Sequence, residues 1–129
     1  MTMDYLDRLS RFAADLQFGR LPELVRDQVL WILADTVAAV AGGSTEPELR
    51  RLADRSRLPG KATLIGLGGS ASMDCAALLN GTAGTFLEMD EGNRFSRGHP
   101  AVHVIPATLA LCEELGADAQ TLLSSLVVG

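Results

Sequence analysis

Lysine occurs once in this 129-residue chain, at Lys61, and the net charge is -5. Without a basic surface to neutralise phosphates, non-specific nucleic-acid binding is excluded as a role. Cysteine is nearly as scarce. Cys75 and Cys112 each sit inside an apolar pattern, CAALL and LALCEEL, so they read as two buried, unpaired thiols of a reduced, cytoplasmic protein and not as a disulfide framework. No apolar run is long enough for a membrane span: residues 29–41 are interrupted by Asp35 and fall short of the roughly 20 residues required. The opening MTMDYLDRLSRF has no basic stretch followed by an apolar one, so no signal peptide is expected. Strand-like alternation is almost missing too, and only Ala62-Thr63-Leu64-Ile65 qualifies.

What the chain does have is helical periodicity. Tyr5, Leu6, Leu9, Phe12, Ala13 and Leu16 recur at helical spacing, with Asp7, Arg8, Arg11 and Asp15 between them, up to a stop near Gly19. A second helix opens at Pro22 and runs to Gly42-Gly43. From Val29 onward it is apolar nearly all round, which predicts that its second half lies in the core. Thr45-x-x-Glu48 has the form of a capping box for a third helix that ends before Leu58-Pro59-Gly60. Residues 70–87 form a small-residue, buried helix; another starts at Pro106, and Asp118 caps a last one beginning at Ala119. The expected fold is one all-α domain with one short extended or hairpin element. The closing LLSSLVVG is apolar without a cap or polar tail, so the chain is expected to be the front piece of something longer.

Against this apolar background, residues 88–106, EMDEGNRFSRGHPAVHVIP, gather both histidines, three carboxylates and two arginines. Three chemistries are conceivable. Gly66-x-Gly68-x-x-Ala71 matches a dinucleotide fingerprint in form, but three helices precede it where a sheet is required. His99 and His103 are spaced for a shared metal, yet Pro100 stands where a zinc-type motif carries its glutamate and disfavours helix at His99. The third is metal-free acid/base catalysis: His99 moves a proton beside a carboxylate, Glu88 and Asp90 orient it, and Arg94 and Arg97 hold substrate anions bidentately, with His103 in reach. Asp35, alone in its apolar helix, reads as a hydrogen-bonded structural carboxylate. A non-catalytic helical module, whose apolar terminal helix docks on a partner, is the alternative class.

The stretch NGTAGTFLEMDE at residues 80–91, continued by GHPAVHVIPATLALCEELG, resembles the MmgE/PrpD family, which includes 2-methylcitrate dehydratase, cis-aconitate decarboxylase and iminodisuccinate epimerase. LADTVAAVAGG at residues 33–43 is similar to that family's D-T-x-G-x-x-x-A-G helix. By this resemblance Glu88 stands at the first acid of the family's motif, Asp90 and Glu91 at the next two, and His99 at the histidine of its HP pair; Glu88 and His99 then line the active site. Thr85 departs from a frequent histidine and Gly92 from a frequent threonine, and the connection to His99 is slightly longer than in the decarboxylase. The resemblance implies the N-terminal part of a helical domain, with an α/β domain beyond this chain supplying a catalytic lysine and a second histidine. It further implies a lyase or isomerase acting on a small di- or tricarboxylate, no cofactor, and a homodimeric full-length parent. This chain alone would be inactive.

Overall fold

A computed structural model describes residues 4–129. Among them the chain forms six α-helices and one two-stranded hairpin: α1 (Tyr5–Asp15), α2 (Glu23–Gly43), α3 (Pro47–Ser56), β1 (Ala62–Thr63), β2 (Ser70–Ala71), α4 (Met73–Phe86), α5 (Pro100–Leu115) and α6 (Ala119–Val128). A single 3-10 turn, Phe18–Arg20, separates α1 from α2. The mostly α expectation holds, with one small hairpin as its only extended element among the described residues.

The centre of the fold is α4, packed between α2 and α5. Its buried residues, Cys75, Ala76, Leu79, Asn80, Ala83 and Gly84, repeat at the period of one helix face. Because most of them are small, neighbouring backbones come close. A Cβ on Gly43 of α2 would lie 1.9 Å from the Ala83 carbonyl oxygen, so glycine is required where α2 crosses α4. Around this crossing Leu49, Leu64 and Leu79 are almost fully buried, each worth about 2 kcal/mol of transfer free energy.

The hairpin is pinned from both sides. Ala62 pairs with Ala71 and Thr63 with Ser70, antiparallel. Asn80 of α4 accepts the Ile65 N–H at 3.0 Å and donates its amide to the Thr63 carbonyl at 2.9 Å. Glu113 of α5 accepts both the Thr63 N–H and its hydroxyl, each at 2.6 Å. Gly66, Gly68 and Gly69 all have positive φ, so the glycine-rich run serves the turn of this hairpin. It does not connect a parallel strand to a helix, which a dinucleotide site needs.

Several expectations need correction. The fifth helix begins at Pro100, six residues before Pro106, which is buried inside it. Proline is favoured at a first helical position, and the sequence offers two such prolines in one apolar run. Pro47 is the first residue of α3 and its N-cap is Glu46; Thr45 instead donates its hydroxyl to the Gly42 carbonyl, so no capping box forms. The second half of α2 is not enclosed: Thr36, Val40 and Gly43 are buried, but Trp31 is 74% exposed and Ala34, Asp35, Ala38 and Ala41 face solvent. Cys75 is buried and unpaired as expected, donating its thiol to the Ser56 carbonyl, whereas unpaired Cys112 is only half-buried. No helix among the described residues is long and apolar enough to cross a membrane.

Asp118 caps α6 as its sequence position suggested, accepting the Thr121 N–H at 2.8 Å. That bond holds its carboxyl below the usual carboxylate range. A lowered carboxyl stabilises the fold above its unfolded value of about 3.9, and that stabilisation is lost as pH falls through the lower folded value. Asp118→Ala is therefore expected to melt below the parent at neutral pH, and the gap should close on acidification. A gap independent of pH in a series of thermal melts would show that the cap acts otherwise than through its charge.

Candidate functional site

The polar segment begins where α4 ends. Its last turn closes at Leu87, and Glu88 follows in the left-handed region at φ 53°, its N–H bonded to the Thr85 carbonyl at 3.1 Å. Only glycine adopts that conformation without strain, and a β-carbon there costs about 1 kcal/mol. Glu88 is exposed and, among the described residues, has no ion-pair partner. Glu88→Gly is therefore expected to stabilise the fold by about 1 kcal/mol in urea denaturation. A destabilised variant would mean that the glutamate side chain contributes to the fold.

Beyond Glu88 the chain makes a tight reversal that its sequence pattern does not announce. Asn93 and Gly98 pair in both directions, N–H to carbonyl, at 2.8 and 3.3 Å. The Asn93 side-chain oxygen accepts the N–H groups of Phe95 and Ser96 at 2.9 and 3.1 Å, an Asx turn that fixes the tip. Arg97, at φ 54°, supplies the left-handed residue before Gly98. This loop returns the chain so that His99, nine positions after Asp90, lies beside it.

His99 is the N-cap of α5, with the non-helical backbone that the following proline imposes. Its Nδ1 lies 3.1 Å from Oδ2 of Asp90. The Asp90 side chain is 6% exposed and that of His99 55%. The pair is close without hydrogen-bond alignment, which leaves Asp90 Oδ2 as a buried acceptor with no aligned donor. A carboxylate this close to Nδ1 can accept a proton carried there, and in that tautomer Nε2 is the acceptor. Glu91 has a structural partner of its own. Its Oε2 accepts the Ala101 N–H at 3.4 Å, placing a negative charge at the N-terminus of α5. Glu91 and Asn93, which the sequence reading gave no structural role, are thus the residues that shape the loop; the only signal for them was an acid and an asparagine flanking a glycine.

The other candidates are placed apart. Arg94 and Arg97 are both exposed near the loop tip, and neither forms an ion pair with a described residue. The Arg94 guanidinium lies 5.4 Å from the centre of the Phe95 ring, itself 88% exposed. His103, one turn along α5 from His99, lines a groove of about 430 Å³ between α4 and α5 with Thr82, Thr85 and Pro106. Asp35 is exposed and makes no hydrogen bond among the described residues, so it is not the hydrogen-bonded carboxylate expected. A cavity of about 240 Å³ opens behind the loop against α5, with Glu91 and Asn93 its polar walls. A larger cleft, about 730 Å³ between the end of α1 and α6, holds none of the candidate residues. Among the described residues, no three His, Cys, Asp or Glu side chains converge as a metal site requires.

Residues 7–129 match the family model of the MmgE/PrpD N-terminal domain. No curated protein and no solved structure matches the chain.

Proposed function

From the fact that this chain belongs to the MmgE/PrpD family, we propose that it contributes one half of the active site of a lyase or isomerase that moves a proton next to a carboxylate of a small di- or tricarboxylic acid. The observation that carries this reading is the pairing of a buried Asp90 with an exposed His99 at 3.1 Å. With a carboxylate beside Nδ1, Nε2 is the nitrogen that can take a proton from carbon or return one.

In this reading Asp90 is a positioning residue and His99 the proton carrier. Glu88, exposed two residues before Asp90 and held at positive φ, is the second acid assigned to the site. Arg94 and Arg97, on the tip between the two acids and His99, hold the substrate's carboxylates, for which a guanidinium fork is suited. No cofactor takes part in the proposed chemistry.

The matching family model describes an N-terminal domain, which supports reading the chain as part of a larger catalytic unit; that the parent is a homodimer is part of the proposal. On its own it should show no appreciable turnover, because a half-assembled acid/base site lacks the positioning that makes proton transfer fast. The test is a screen of the complete protein against citrate-like, aconitate-like and aspartate-derived acids, followed by NMR for loss of water, loss of carbon dioxide or epimerisation. Turnover of one of these classes supports the reading, and inertness towards all three counts against it.

A further inference from the structure

Apolar packing does not hold the reversal that joins Asp90 to His99. Residues 94–97 are all exposed, Phe95 at 88%, so burial contributes little to their arrangement. Hydrogen bonds have to hold it instead. Among the described residues, every hydrogen bond within residues 92–98 has Asn93 at one end. Its backbone pairs in both directions with Gly98, its carbonyl accepts the Ser96 hydroxyl at 3.3 Å, and its Oδ1 accepts the N–H groups of Phe95 and Ser96. The turn also works against a strain of its own, because Arg97 at φ 54° occupies a region that a residue with a β-carbon enters only when its surroundings enforce it. One asparagine carries the turn.

What the turn controls is the entry of the chain into His99. At φ -119° and ψ 68° that residue lies outside the helix, so α5 alone does not set the direction in which its ring leaves the backbone. Gly98 sets the other half, with its N–H and its carbonyl both bonded to Asn93. Asp90 is fixed independently: its side chain is 6% exposed, and the next residue, Glu91, reaches the Ala101 N–H. The 3.1 Å approach of Nδ1 to Asp90 Oδ2 therefore depends on where Gly98 delivers His99. A misplacement of about 1 Å at a reacting group can cost about 10²-fold in rate, so opening the turn impairs the pair without altering either member.

We propose, resting on the acid/base reading above, that Asn93 is a positioning residue of the site, which acts on His99 through the turn and not on the substrate. The role has a defined geometry. Asparagine and aspartate both carry an oxygen on Cγ, from which it reaches N–H groups two and three residues on. Glutamine carries the same amide one methylene further out and overshoots them.

Steady-state kinetics and histidine-ring NMR of the complete protein, isotope-labelled only in histidine, test this with Asn93→Ala, Asn93→Asp and Asn93→Gln. Asn93→Ala should lower kcat roughly tenfold with KM within about twofold of the parent, and should move the His99 ring signals to those of Asp90→Asn. Asn93→Asp should restore both, and Asn93→Gln neither. All three should melt with the parent, because the loop adds no residue to the core. An Asn93→Ala enzyme with parental kcat, while His99→Asn is impaired, overturns the proposal and leaves the acid/base reading standing; full activity in His99→Asn overturns that reading itself. Ring signals unchanged in Asn93→Ala, or glutamine restoring activity as well as aspartate, also overturn the proposal, since either would mean that the turn does not set the ring.

Discussion

Replacing His99 by asparagine in the complete protein is expected to lower kcat by roughly 10²-fold or more, the usual cost of removing a general acid/base. Asparagine keeps a hydrogen-bonding group of similar reach at the start of α5 but cannot carry a proton. The loss should therefore fall on kcat more than on KM. Asp90→Asn leaves the imidazole in place without the buried acceptor that selects its tautomer, and should cost on the order of tenfold or more. His103→Ala should cost far less, because His103 lines the groove on the α4/α5 surface and is not paired with Asp90 as His99 is. Equal losses at the two histidines, together with inactivation by a chelator, would point instead to a shared metal. Full activity in His99→Asn would remove the segment from the mechanism.

The second large effect is structural. Gly43→Ala would bring its Cβ to 1.9 Å from the Ala83 carbonyl oxygen and 2.9 Å from the carbonyl carbon. Both atoms are backbone in the central helix, so the contact is relieved only by moving α2 away from α4. Overpacking of this kind costs about 3 kcal/mol or more. Gly84→Ala, whose Cβ would meet Val102 at 2.7 Å, should also destabilise, but less, since a side chain can yield. Gly81→Ala provides the contrast. It lies three residues earlier on α4, its Cβ would meet nothing closer than 3.9 Å, and the better helix former should add up to about 1 kcal/mol. Chemical denaturation of the three variants checks the order. A Gly43→Ala protein as stable as the parent would mean that α2 and α4 are not packed as described.

These glycines show what the sequence made legible and what it did not. The repeat of small residues through α4 announced close backbone approach, but not that Gly43 is the residue approached. Helical spacing located all six helices, since the period of an apolar stripe is a local property. Helix ends were less legible. Pro100 and Pro106 each suit a first turn, and only tertiary packing decides that Pro106 lies inside α5. How much of a stripe its neighbours cover is equally non-local, so the exposure of Trp31 on α2 and of Leu9 on α1 could not be read from the pattern. At the candidate site, residue types and order singled out the segment in which Asp90 and His99 come together. The pairing of Asp90 with His99 depends on the Asn93–Gly98 turn, which rests on a side-chain oxygen and not on any alternation of polarity. The same turn puts Arg94 and Arg97 at its exposed tip, while His103 lies one turn along α5 on the groove against α4.

The most direct test of the account is the protonation pattern of the His99 ring in the neutral state. Two-bond proton–nitrogen NMR correlations of the chain distinguish a ring nitrogen that carries hydrogen from one that does not, with His99 assigned by comparison with His99→Asn. If buried Asp90 orients the ring, the neutral imidazole carries its proton on Nδ1, leaving Nε2 bare toward the exposed side, and Asp90→Asn abolishes that preference. A proton on Nε2 in the parent, or a tautomer that is the same with and without the Asp90 carboxylate, would contradict the claim that this pair is an oriented acid/base site.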